Sequence, residues 1–340
     1  MVVTSTPKEQ LLQIIEKFGG CPIAVYGDLV ADEFIYGEIS RISREAPVLI
    51  LKYKESRIVP GGAANAINNL RALDAVPMPL GILGTDEAGK TLRELFSRAK
   101  IPLSAVRPIE GYQTPTKTRY SAGSVHSSRQ QVLRIDRETA FIHTSESRAT
   151  TEACLDSLLK QCRGLLVSDY GFGFVDPEIV HHVARKKGAL PITLDSRFGL
   201  LRFSGLTACT PNESEVEDAL GGKIGNNLNR LEETGKILLE RLQHEAVLIT
   251  RGRDGMSLFV SGQKPAHIPI FGSDEIADVT GAGDTVIAVF TLALAVGASF
   301  REAAKLSNYA GAIVVMKHGT ATVSAEELRE AVIRGEEELP

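Results

Sequence analysis

The 340-residue chain has no tryptophan, only four cysteines, and no apolar run long enough to cross a bilayer. A spanning helix needs ~20 apolar residues. The longest mostly apolar stretch, 286–298, falls short of that and predicts a buried helix instead. The first ten residues are polar, so they lack the apolar segment of an export signal. Cys21, Cys154, Cys162 and Cys209 form no CxxC pair. That argues against a metal or disulfide framework and predicts small core residues in a reducing, cytoplasmic compartment. The seven histidines, His126 and His318 among them, show no metal-ligand spacing. With a net charge of −4 and basic residues scattered among acids, neither nucleic acid nor an anionic membrane is an expected partner.

What the chain does have is alternation. Short apolar runs at 22–26, 78–83, 163–168, 191–195, 206–210 and 246–250 read as strands. Between and after them, helical periodicity fits 8–17, 63–73, 87–98, 148–160, 177–187, 226–242, 282–296, 300–316 and 324–333. This order predicts an α/β fold, a mostly parallel central sheet flanked by helices. Segments 255–260 and 265–270 read as a hairpin. Segments 33–57 and 114–136 are strand-like with no helix between strands, which predicts a small antiparallel sheet inserted as a lid. One domain over 1–340 with that lid accounts for the whole chain, since large α/β units run past ~250 residues.

The sharpest chemical signal is Asp278-Val279-Thr280-Gly281-Ala282-Gly283-Asp284-Thr285, just before the apolar run. Gly281 and Gly283 remove side chains where a backbone must approach a ligand closely. The helix behind them offers unpaired N–H groups and a positive dipole end, an anion site. Asp284 in the first turn would repel a phosphate unless it has work to do, such as taking a proton from an attacking hydroxyl. A plain helix cap is the bland alternative.

Asp28 follows the first strand, and Gly61, Gly62 and Asn65 open a helix. Ligands of α/β proteins bind at such strand ends, and an Asp–Asn set can hold sugar hydroxyls. Gly84 to Thr91 matches the P-loop pattern with Lys90. Asp86 and Glu87 would face the phosphates there, so the segment is read as a structural loop. Asn212, Glu213, Ser214 and Glu215 follow a further strand. They read either as a helix start or as a place where Glu215 holds a hydrated Mg²⁺ through water. Thr250, Gly252 and Gly255 form another loop able to approach ATP phosphates.

Together these residues resemble the ribokinase-like (PfkB) carbohydrate kinases over nearly the whole chain. The resemblance implies that Gly281, Ala282 and Gly283 form an anion hole and that Asp284 is the base. It implies that Gly84, Asp86 and Gly89 belong to a structural GxDxxG stretch, which explains the P-loop match. It also implies ATP contacts at Asn212 and Glu215, Asn308 beside the adenine, and possible K⁺ near Asp278 and Thr280. Within the family, SRISREAPV (40–48), PGGAANAINN (60–69), TPNESE (210–215) and DVTGAGDTVI (278–287) resemble the kinase domains of heptose-7-phosphate kinase/ADP-heptose synthase proteins. That implies a phosphorylated heptose as acceptor, held by Asp28, Gly62 and Asn65, with Arg119 as a phosphate or hydroxyl contact and Arg197 as a phosphate contact. Two positions depart from the pattern: Phe172 stands where a lysine is usual, and Arg197 where another lysine is usual. No HxGH motif appears, so one reaction step is expected. A fructokinase or nucleoside kinase is the enzyme alternative, and a catalytically weak sugar-binding protein the non-enzyme one. A homodimer through the lid sheets is expected, because so small a sheet must pack on something.

Overall fold

Strand and helix alternate as the pattern predicts in the computed structural model, which describes residues 6–123, 130–186, 188–225, 227–272, 278–317 and 319–335. His126, His318 and part of segment 114–136 lie outside these. The strands are β1 Pro22–Gly27, β2 Leu29–Ile42, β3 Leu49–Gly62, β4 Val76–Gly84, β5 Val106–Ile109, β6 Thr116–Gly123, β7 Gln130–Arg137, β8 Gly164–Asp169, β9 Ile192–Ser196, β10 Ala208–Cys209, β11 Ala246–Thr250, β12 Met256–Val260 and β13 Ala266–Ile268. The helices are α1 Pro7–Glu16, α2 Ala63–Ala72, α3 Glu87–Arg98, α4 Ser145–Leu159, α5 Pro177–Ala184, α6 Glu213–Leu220, α7 Leu228–Leu242, α8 Ala282–Ala295, α9 Phe300–Val315 and α10 Ala325–Arg334.

Nine strands form the large sheet, in the order β13-β12-β11-β10-β9-β8-β1-β4-β5. It is parallel from β11 to β5, while β12 and β13 add the antiparallel hairpin expected at one edge. Helices cover both faces with two separate apolar cores. Helix α8 is buried on all sides, as its unbroken apolar composition requires. Capping boxes start α1, α4, α6, α9 and α10. Each is worth roughly 1 kcal/mol. No described helix is long and apolar enough to cross a membrane. All four cysteines are free, and three of them are buried.

The small sheet has the order β3-β2-β6-β7. It is longer than expected, for pairing runs from Leu29 opposite Gly62 to Ile42 opposite Leu49. It is also mixed rather than wholly antiparallel. The β2–β3 and β6–β7 pairs are antiparallel, but β2 and β6 run parallel because more than seventy residues separate their starts. Its two faces differ. Asp32 pairs with Lys117 and Phe34 with Arg119 on one face, while Ile35 pairs with Tyr120 and Tyr120 with Leu133 on the other. The connections place the sheets together: β1 passes into β2 through Asp28 alone, and β3 passes directly into α2.

Candidate active site

Every parallel strand of the large sheet ends near one edge, and Asp28, Tyr170, Arg197, Thr210 and Arg251 follow five of those ends. This is where an open α/β sheet gathers ligand-binding groups. The start of α8 closes the same cleft. Gly281 has φ +77°, and a Cβ there would lie 2.5 Å from Asn65 Nδ2, so only glycine fits. Gly283 faces open space, as an approach path for a ligand requires. The Ala282 N–H donates to Val279 O at 3.2 Å, so that amide of the expected anion hole closes its own turn.

Asp284 is 3% exposed. Its Oδ2 accepts from Asn65 Nδ2 at 2.9 Å and its Oδ1 from the Tyr170 hydroxyl at 2.9 Å. Burial pushes its pKa up to about 7, against the lowering effect of those two hydrogen bonds; the Asp32 charge adds to the rise and Lys117 opposes it. Asn65 is in turn fixed by Asn69 and by Gly281 O.

Asp28 has different surroundings from those expected. Its Oδ2 accepts the Tyr170 N–H at 2.9 Å and the Phe172 N–H at 3.2 Å. It therefore holds the 170–172 backbone in place. Its Oδ1 is buried with no hydrogen-bond partner. The acid that faces Asp284 electrically is Asp32, which sequence reasoning missed. Asp32 pairs with Arg119 at 2.6 Å and accepts from Thr320 Oγ1 at 3.1 Å. Gly61 makes room for it, since a Cβ at Gly61 would sit 2.6 Å from Asp32 Oδ2. Gly62 likewise lies against Val30 and Tyr170. Arg119 is thus engaged by Asp32 and stacked over Phe34, with its centre 5.3 Å from the ring. Phe172 packs in the interior. Lys117 is the other member of the cluster that the sequence did not single out.

On the opposite side, Asn212 and Glu215 form a reciprocal helix cap at 2.9 Å each. Glu213 pairs with Arg251 at 2.9 Å, and Ser214 is exposed beside it. Thr250 bridges to Asn212 in parallel, which brings both loops together, and Gly252 faces open space. At Gly255 a Cβ would meet Ile268 O at 2.1 Å, so the hairpin requires glycine there. Asn308 donates to Pro269 O at 2.7 Å and lines a cavity of about 370 Å³ with Ile268, Phe271 and Tyr309.

Two acids here suit a divalent cation. Burial first, then the Glu215, Asp284 and Asp169 charges, push Asp195 well above the carboxylate range, and burial raises Glu215 as well. A cation between them would remove that cost. With no cluster of three or more ligands among the described residues, water must complete its shell. Asp278 and Thr280, the residues expected beside K⁺, share one loop. Asp278 accepts from the Thr280 and Gly319 N–H groups at 2.9 Å each. Those bonds outweigh burial and keep it low.

The P-loop match is structural. Asp86 caps α3 through Gly89 N–H at 3.1 Å and accepts Thr114 Oγ1 at 2.7 Å, while Lys90 is exposed.

The profile of the pfkB family carbohydrate kinases matches residues 23–328. The chain is 39% identical over 317 residues to the bifunctional protein HldE of Hahella chejuensis, covering 93% of this chain and 64% of that protein. It is 36% identical over 318 residues to the HldE of Desulfatibacillum aliphaticivorans, again covering 93% of this chain and 64% of that protein. It therefore spans less than two thirds of these relatives' length. In fold it is similar to Arabidopsis thaliana ribokinase, solved with ribose and ATP, at TM-score 0.69 and 19% identity over 93% of this chain and 98% of that one. Escherichia coli phosphofructokinase-2, solved with potassium, gives TM-score 0.72 and 15% identity over 92% of this chain and 98% of that one. The fold is ribokinase-like, and with most of its length matched the chain belongs to the pfkB family of carbohydrate kinases, phosphotransferases that act on a hydroxyl acceptor.

Proposed function

We propose that this kinase is a single domain that uses ATP to phosphorylate the anomeric hydroxyl of heptose 7-phosphate, with Asp284 as the base and the small sheet as the lid. The observation that carries the reading is Asp284 itself: a carboxylate buried at a helix start, raised to about 7 and held by Asn65 and Tyr170. A base poised near the working pH combines ionisation with proton affinity. The stretches that resemble heptose kinases, and the identity to HldE proteins, support the acceptor.

Asp284 takes the proton from the attacking hydroxyl. The dipole of α8 and the free amides of its first turn stabilise charge on the transferring phosphoryl group. The phosphates of ATP lie by Asn212, Thr250 and Gly252, with the base near Asn308. Asp195 and Glu215 would hold Mg²⁺ through water, which neutralises phosphate charge. Asp28 acts at one remove by fixing the backbone that carries Tyr170. Free cysteines and even charge support a cytoplasmic setting.

The acceptor is tested by ATP consumption across free and phosphorylated sugars. Highest turnover on a heptose 7-phosphate supports the reading; a free hexose or a nucleoside as best substrate overturns it. The outer face of the lid exposes Ile39, Leu49, Tyr53, Leu133 and Ile135, which supports a homodimer through these sheets. A monomer in sedimentation at micromolar concentration would remove the dimer.

A further inference from the structure

Arg119 and Lys117 stand on β6 at the acceptor side of the cleft, Arg197 is exposed just past β9, and the three are not equivalent. Arg119 is neutralised by Asp32, and both side chains are nearly sealed from water. Lys117 lies two residues earlier on the same face of β6. Its Nζ sits 4.6 Å from the centre of the Tyr170 ring, and among the described residues no carboxylate lies within ion-pair distance of it. Arg197, just past β9, acts on it as a like charge. Burial first and then Arg197 hold the Lys117 pKa below its ordinary value.

Asp32, Asp284 and Asp136 attract the Lys117 charge without offsetting burial and Arg197, so this half-buried ammonium gains from a further anion beside it. The cost of that arrangement becomes a gain when a phosphate enters. Tyr170 fixes the distance to the chemistry, because its ring carries Lys117 and its hydroxyl donates to Asp284 at 2.9 Å. An anion at Lys117 thus lies across the Tyr170 ring from the base. Lys117 stands on the small sheet beside Asp32, while the ATP-side loops at Asn212 and Thr250 lie beyond β9 in the large one. The phosphate it faces is therefore the acceptor's own rather than that of ATP.

We propose that Lys117, assisted by Arg197, is the point that recognises the phosphate of the acceptor and selects a phosphorylated sugar over its free form. The proposal rests on the kinase reading above and supplies from β6 the charge that Phe172 lacks.

The test is Lys117→Met, with Arg197→Gln as a second variant. Calorimetry follows inorganic phosphate and heptose 7-phosphate binding to each folded protein, and kinetics give KM for heptose 7-phosphate, free heptose and ATP. Lys117→Met is expected to weaken both phosphate ligands at least tenfold, with KM for free heptose and for ATP within about threefold of wild type. Arg197→Gln should show the same selective loss, smaller in size, and it decides the matter if Lys117→Met does not fold. Equal loss for free and phosphorylated sugar would make Lys117 a packing residue and overturn the proposal. A rise in KM for ATP alone would assign it to the other phosphate and overturn it too. If wild type turns over no sugar, the kinase reading fails while the phosphate titrations still decide Lys117. If it turns over free sugars but binds no phosphate ligand, the kinase reading stands and Lys117 loses its role.

Discussion

The end of β1 and the start of α8 each bring a buried aspartate to the same edge of the large sheet. Asp28 and Asp284 are both 3% exposed, and both are pushed up to about 7, chiefly by burial. Their partners separate them. Asp284 accepts from two side chains, Asn65 and Tyr170, which fix a carboxylate at the cleft. Asp28 accepts from backbone N–H groups of Tyr170 and Phe172 through one oxygen, and its other oxygen is buried without a partner. A raised pKa alone therefore does not identify a base; the direction in which the oxygens point does.

The largest expected effect comes from the α8 side. Asp284→Asn keeps the shape and removes the proton acceptor, so kcat should fall by ~10² to 10⁴ with KM for ATP little changed. An Asn variant within about threefold of wild type would take Asp284 out of the chemistry. In the active range, wild-type rate should rise as pH passes about 7, since only the ionised Asp284 can accept a proton.

Asp28 should respond to a different pair of changes. Asp28→Asn keeps an oxygen for the Tyr170 and Phe172 amides, and activity should stay within about tenfold. Asp28→Ala leaves those amides unpaired and should cost ~1–3 kcal/mol of stability in urea melts. If Asp28→Asn were as inactive as Asp284→Asn, the contrast between the two acids would collapse.

A third effect is shared. Both carboxyls sit above their ordinary value of 3.8, so between about pH 4 and 7 the folded chain holds protons that the unfolded chain has released. The stability they contribute is fully present below about pH 4 and is lost as pH rises through about 7. Each Asn variant should therefore gain stability relative to wild type on going from pH 4.5 to 8, by up to ~4 kcal/mol. Urea midpoints at the two values check this, and a gain at pH 4.5 instead would reverse the assignment. The smallest effect belongs to Lys90→Ala, which should leave rate untouched and stability within ~0.5 kcal/mol. Loss of turnover there would restore the P-loop reading of Gly84 to Thr91.

The sequence disclosed some of this readily. The Gly281–Asp284 turn was legible because its glycines, its acid and the helix behind it act within a few residues of one another. The parallel body was legible because buried strands and helices differ in period. Strand β5, at four residues with a proline, carried no alternation to find. Asp28 was legible as an acid at a strand end, but its bonds to the Tyr170 and Phe172 amides depend on a loop far away in sequence. Asp32 was passed over, lying inside a strand buried on both faces, with nothing to mark it as a ligand. Lys117 and Arg119 share one short stretch, and only the pairing register and the Asp32 contact tell the free charge from the occupied one. For Gly255 the sequence offered a phosphate loop, and the hairpin contact that also demands glycine there is visible only in the fold.

Asp284 belongs to the large sheet's cleft, whereas Asp32, Lys117 and Arg119 ride on the small sheet, joined to the body through Asp28 at one end and Gly62 at the other. Under the proposed mechanism, the groups that perform the reaction and those that choose its substrate are thus inherited on separate pieces of chain. Mutational drift in β2, β3 and β6 can try new acceptors while the phosphoryl-transfer apparatus stays under undisturbed selection. For the engineer the same partition marks where a library belongs: a handful of positions on one face of four strands, screened against sugars of different charge.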